Sequence, residues 1–452
     1  MAVISVQPYW ELMFDAEGDM APGEREALVR GVAEKGVTDL VVFAHGWNNT
    51  RSMATGLYER FFAPFPAVLA DSPAPSATGG PVRLGYGGVI WPSMRFTDEP
   101  IPDFPSERPP AAAAGPLLDT GTLAGLAAVF PGSEAVLDRL AELLERRPAD
   151  PARLAEFATL TRGLVARGRG DRGTGSGADP HVHDLDPGAG EPDEPAMFTG
   201  SPERVCARFA DVLALAGLAR SELSGALERL WGGALEMLRQ AAYWEMKRRA
   251  GTVGEAGLGR LLGHVADTCA GLRIHLVGHS FGGRLVAFAL RGLPERARCV
   301  CSVTLLQGAF SHYAFAPGLP FAPAHGGALK ELQHRVDGPV VCCHSSHDQA
   351  LGLLYPLASR VSGDMDSLLG LDPLGIGDPR WGAMGHDGVQ AVSGTAALVL
   401  DRALTGPLPA GGCVNVDVSA VVRRGGPPTG AHSDICHREL ARLVLLAGRL
   451  VR

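Results

Sequence analysis

Short, almost unbroken apolar runs recur along this chain, with helical spacing between them. Residues 38–44 (TDLVVFA), 83–91, 272–277, 300–306, 339–343 and 413–421 each read as a buried strand. Residues 3–6 and 11–14 read as an opening hairpin or as the first strands. Strands that are apolar on both faces and separated by helices predict a parallel sheet with helices packed on either side. Helices announce themselves at Ser133, a serine in N-cap position before Glu134, and at Asp150-Pro151, with proline at the first helical position. From Pro202 to Ala250, Leu223, Leu227, Leu230, Ala234, Leu235 and Leu238 recur at helical spacing, with Trp231, Tyr243 and Trp244 on or near the same stretch. Residues 389–404 are helix-like. The pattern predicts an α/β fold, doubly wound and mostly parallel. Its core lies in two parts, 1–95 and 241–452, separated by a long helical insertion over 96–240.

Two parts of the insertion are not periodic. Residues 100–116 are rich in proline and alanine, and residues 167–195 carry Gly, Asp and Pro with almost no large apolar side chain. The second stretch is expected to be a disordered or mobile loop, dispensable for folding, because it lacks the apolar surface that offsets the entropy of ordering. Its histidines, His181 and His183, read as solvated loop residues, with no partner cluster nearby to make them metal ligands.

Composition narrows the range of partners. The chain has 452 residues and a formal net charge of −8. The basic pairs Arg248-Arg249 and Arg423-Arg424 read as a solvated helix end or loop, so no nucleic-acid partner is expected. No run reaches the roughly 18 apolar residues of a membrane span, so no integral membrane segment is expected. Glu11 and Asp15 fall early, where a secretory signal would be basic and then apolar, so none is expected. Eight cysteines without a C-x-x-C pair suit a reducing compartment, which makes a cytoplasmic location the expectation. Cys299, Cys301, Cys342, Cys343 and Cys413 read as small buried strand residues. Neither a metal nor a cofactor is expected.

The chemistry concentrates at residues 278–283 (GHSFGG), set between the apolar run 272–277 and the helix-like 284–290. Strand, G-x-S-x-G, helix is the signature of a nucleophile elbow, a tight turn that lifts a serine hydroxyl above a sheet edge. Ser280 is the candidate nucleophile. Gly278 and Gly282 fall where strand and helix approach too closely for a side chain, and the Phe281 N–H lies where an oxyanion would form. A serine needs a base, and the base an orienting acid. Asp348 follows the strand 339–343, and His432 follows the last strand in a Gly-rich loop. His386 also follows Asp348 but precedes the last strand, so His432 is preferred on topology. Asp417 is the rival acid, inside a strand, and His347 reads as loop architecture. The turn His45-Gly46-Trp47 follows the strand 38–44. Gly46 allows a tight turn, the Trp47 N–H serves as a second oxyanion donor, and His45 stabilises the turn. Such donors are worth about 3 kcal/mol each in the transition state.

These parts together resemble the α/β-hydrolase superfamily, serine hydrolases of the lipase/esterase kind. The resemblance rests on the His45-Gly46-Trp47 turn, the Gly278–Gly282 elbow, and the chain order Ser280, Asp348, His432. It covers roughly residues 1–95 and 250–452. The turn Trp91-Pro92-Ser93 and residues 243–247 also look like an unassigned bacterial subgroup of hydrolases. The resemblance implies an α/β-hydrolase sheet with the insertion as a helical cap, and hydrolysis of an ester or related acyl bond in a small-molecule substrate through an acyl-serine. A serine at the elbow argues against dehalogenases, which use aspartate there. Two alternatives stay open: an acyltransferase using the same triad, and a catalytically silent hydrolase-fold binding protein.

Overall fold

The computed structural model describes residues 4–452 apart from 75–79, 95, 97–116, 171–182, 186–193, 216–224, 355–378 and 427–428. The described strands are β1 (Tyr9–Met13), β2 (Asp39–Ala44), β3 (Leu84–Ile90), β4 (Arg273–His279), β5 (Val300–Leu306), β6 (Pro339–His344), β7 (Ala396–Val399) and β8 (Gly412–Asp417). They form one sheet in the order β1-β3-β2-β4-β5-β6-β8-β7, and every pairing is parallel.

The apolar runs divide by the period-two rule of strands. Leu40, Val42, Leu276, Val303 and Cys342 face one apolar cluster, while Val41, Phe43, Val277, Leu306 and Cys343 face another. The first cluster is shared with α1 (Pro22–Glu34), α4 (Thr120–Val129), α5 (Glu134–Arg146), α6 (Pro151–Gly170), α7 (Pro202–Leu215), α8 (Ala226–Thr252), α9 (Arg260–Thr268) and α10 (Phe281–Gly292). The second is closed by α2 (Arg51–Phe62), α3 (Phe65–Asp71) and the last helix, Arg438–Ala447. Helices therefore cover both faces, which is why these strands are apolar throughout. The helices between β3 and β4 belong to the same apolar cluster as the sheet. Trp231, for example, is buried edge-on against Phe157 of α6, with ring centroids 5.8 Å apart.

The order places a topological switch at the middle of the sheet. From β2 the chain moves outward to β3, whereas from β4, the neighbour of β2, it moves the other way to β5. Crevices at such points, beyond the carboxyl ends of the strands, are where open α/β sheets hold ligands. The ends of β2 and β4 carry His45 and Ser280.

Several expectations are corrected. Of the opening hairpin or first strands expected over 3–6 and 11–14, the described residues form one strand, Tyr9–Met13, which pairs in parallel with β3 rather than in a hairpin. The helix-like stretch 389–404 splits into the edge strand β7 and the short helix Leu400–Thr405, and β8 stops at Asp417 rather than Val421. Arg248 and Arg249 are not solvated but 4% exposed. Arg248 pairs with Glu245 at 2.9 Å, and Arg249 donates to the carbonyls of Pro92 (3.0 Å) and Val129 (3.1 Å). The loop expected over 167–195 is partly core. Helix α6 runs into it, and His183, Asp184 and Leu185 are buried at 4%, 0% and 5% exposure. Leu185 forms a β-bridge with Gly327. His181 lies outside the described residues.

Candidate functional site

Ser280 sits between the last residue of β4 and the first of α10, with φ 57° and ψ −124°. A side chain held at positive φ costs about 1–3 kcal/mol and persists only where the surroundings impose it. Three hydrogen bonds impose it here. The Ser280 N–H donates to Leu306 O (3.1 Å), and the Ser280 carbonyl accepts from the N–H groups of Gly283 (3.0 Å) and Ala309 (3.1 Å).

The glycines around the turn are required by space. A Cβ on Gly278 would lie 2.3 Å from Gly282 O, and one on Gly282 would lie 2.0 Å from Ala44 O and 2.5 Å from His45 O. The elbow therefore presses backbone to backbone on the end of β2. A Cβ on Gly46 would meet Ser280 Cβ at 2.7 Å and its Oγ at 3.2 Å. The turn after β2 is thus the wall against which the Ser280 hydroxyl rests.

That turn is rigid. The His45 N–H donates to the Tyr58 hydroxyl (3.1 Å), His45 Nδ1 donates to Gly46 O (2.8 Å), and the Trp91 indole donates to His45 O (3.0 Å). The His45 ring stacks on Trp91 at 5.6 Å. Burial lowers its pKa to about 4, so it is a neutral structural ring at pH 7. Trp47 packs against Phe281 (6.2 Å between centroids) and Tyr243 of α8 (5.3 Å). Phe281 opens α10, so its N–H has no partner within the helix. Among the described residues, neither it nor the Trp47 N–H donates to a backbone carbonyl.

Asp348 and His432 meet. The Asp348 Oδ2 accepts from His432 Nδ1 at 2.7 Å, with Asp348 1% and His432 8% exposed. The two loops that carry them are stitched together. Asp348 bridges Gly430 in antiparallel fashion, the Ala431 N–H donates to His347 O (3.0 Å), and the Ala350 N–H donates to Thr429 O (3.2 Å). Gly430 has φ +59°, and a Cβ there would lie 2.5 Å from His347 O. The other carboxylate oxygen of Asp348 accepts from the Leu351 N–H at 3.0 Å. The pair reaches the elbow through His279, the residue before Ser280. Its Nε2 donates to His432 O at 2.8 Å, and the two rings lie 4.9 Å apart. His279 is neutral, with its pKa lowered to about 3, mainly by burial.

The rival residues are engaged elsewhere. His386 Nδ1 donates to Asp387 (2.8 Å), which also accepts from His312 Nδ1 (3.0 Å). The Asp387 bond raises the His386 pKa. The Asp417 carboxylate accepts from the Ser419 N–H at 2.9 Å. Asp434, not singled out in the sequence, anchors the His432 loop by accepting from the N–H groups of Arg423 (3.0 Å) and Arg424 (2.8 Å) and from His437 (2.9 Å).

The sequence reading also missed a buried ion cluster behind the elbow, made of Asp184, Lys247 and Arg284. One signal was available. Arg284 is a charge on the apolar stripe formed by Phe281 and Phe288, and such a charge needs a buried partner. Among the described residues, no three His, Cys, Asp or Glu side chains are grouped to hold a metal. No helix there is long and apolar enough to cross a membrane. The molecule is thus an α/β protein with a serine in a tight strand–helix turn and a histidine–aspartate pair, both beyond the carboxyl ends of the sheet strands. No protein-family model, curated protein or solved structure matches the chain.

Proposed function

We propose that the chain is a serine hydrolase of the α/β-hydrolase kind, cleaving an ester or related acyl bond through an acyl-serine. The observation that carries this reading is the Asp348–His432 pair, tied through His279 to a serine at positive φ. In this reading the Ser280 Oγ attacks the acyl carbon. His432 carries its resting proton on Nδ1, donated to Asp348, which leaves Nε2 to take the serine proton and pass it to the departing alcohol. The Asp348 charge stabilises the imidazolium that forms. The N–H groups of Phe281 and Trp47 receive the oxyanion. Water repeats the sequence to release the acid.

The helices between β3 and β4 act in this reading as a cap that sets substrate choice. Tyr243 of α8 supports this, since its ring packs 4.8 Å from that of Phe281. The eight free thiols suit a reducing compartment.

A panel of p-nitrophenyl esters of graded acyl length tests the proposal. The chain is expected to release nitrophenolate from at least one, and Ser280→Ala to return that rate to background while melting like the parent. Equal turnover by Ser280→Ala, or none with any acyl length, would refute it.

A further inference from the structure

Asp184 is a buried carboxylate with several partners outside the site. Its Oδ1 accepts from Arg284 Nε at 2.9 Å, and its Oδ2 accepts from Lys247 Nζ at 3.1 Å and from the Ser311 N–H at 3.1 Å. Its carbonyl accepts from the Ala328 N–H at 2.9 Å. Asp184 and Arg284 are both 0% exposed, and Lys247 is 6% exposed. Arg284 is further held by the carbonyls of Lys247 (2.7 Å) and His183 (3.3 Å), and its guanidinium lies 4.0 Å over the Phe288 ring.

Each side-chain arm of Asp184 ends on a segment that touches Ser280 or an oxyanion donor. Arg284 stands one helical turn beyond Phe281 on α10, so the two share a face. Lys247 stands one turn beyond Tyr243 on α8, and Tyr243 packs on both Phe281 (4.8 Å) and Trp47 (5.3 Å). Ser311 ends the loop whose Ala309 N–H binds the Ser280 carbonyl at 3.1 Å. One carboxylate therefore fixes α8, α10 and the 307–311 loop against one another, about one turn behind the reacting position.

We propose that Asp184 is a positioning residue: by clamping Arg284, Lys247 and the Ser311 amide, it sets the geometry of the Ser280 elbow and of the Phe281 and Trp47 donors. The consequence for reactivity rests on Ser280 being the nucleophile, whereas the clamp itself does not. The three-way bond also explains why a polar segment is buried. Two cations and one amide converge on this single carboxylate.

The test combines amide hydrogen exchange with phosphonate labelling on the full chain, comparing the parent with Asp184→Asn and Lys247→Met. The second variant keeps the Asp184–Arg284 bond and keeps the test open if the first does not fold. Peptides over 278–285 and 307–312 are expected to exchange about tenfold faster in the variants, while those over 339–344 and 412–417 keep their protection. Labelling of Ser280 by a fluorophosphonate is expected to slow about tenfold or more, with the KM for an aryl ester changed less than about threefold, as a displaced elbow costs rate rather than binding. Unchanged exchange at the elbow would overturn the proposal, as would protection lost evenly across 339–344 and 412–417. Faster exchange with an unchanged labelling rate would overturn the positioning role. If the parent were not labelled at all, the hydrolase reading would fail, and the exchange pattern would still decide the clamp.

Discussion

Replacing His432 by alanine is expected to lower turnover of an activated ester by about 10⁴-fold or more, equivalent to roughly 5 kcal/mol of transition-state stabilisation. The size follows from what the imidazole is asked to do. In the proposed mechanism the Ser280 proton would then lose its base, since burial lowers the pKa of His45 to about 4 and of His279 to about 3 and makes both poor bases. His386→Ala is expected to cost less than about tenfold, because its bond goes to Asp387 rather than Asp348. Asp348→Asn belongs with the large effects, at about 10⁴-fold, because an amide in its place favours the wrong tautomer of His432. Initial rates on one ester, with circular dichroism as the check on folding, separate the three. A larger loss in His386→Ala than in His432→Ala would reverse the assignment of the base.

Gly282→Ala is expected to cost a large share of the stability. Its Cβ would stand 2.0 Å from Ala44 O and 2.5 Å from His45 O, and both are backbone atoms that cannot swing aside. The elbow must then separate from the end of β2, at a cost of about 3 kcal/mol or more. Gly163→Ala is the control. Gly163 lies within α6 and has nothing within 4 Å of its would-be Cβ, so the substitution is expected to stabilise by about 0.5–1 kcal/mol. Thermal melts of the two variants are expected to move in opposite directions. An unchanged Tm for Gly282→Ala would mean that the contact between β2 and the elbow is looser than these distances require.

The sheet was legible because burial on both faces writes strands as continuous apolar runs. The β2, β4, β5 and β6 runs are each a strand within a residue or two of its expected limits. What failed was the part of strand identity that depends on distant partners. Residues 3–6 and 11–14 look like a hairpin locally, but β1 takes its partner from β3, more than seventy residues away. β7 has alternating exposure at a sheet edge, and local apolar spacing there blends into the helix that follows. The elbow and its glycines were legible because close backbone approach leaves a mark in residue type. His432 was preferred to His386 because it follows the last strand, and the structure places His432 Nδ1 2.7 Å from Asp348. Asp184 was illegible for a different reason. Composition arguments weigh apolar surface, and this segment is held inside by two cations and an amide.

Whether Ser280 is a nucleophile is decided by covalent capture. The parent chain would be treated with a fluorophosphonate, its intact mass measured, and the adduct located by peptide mapping. One phosphonyl group per chain is expected, on the peptide carrying Ser280, and none on Ser280→Ala. An unlabelled parent, or an adduct that persists on another residue of the folded Ser280→Ala variant, would contradict it.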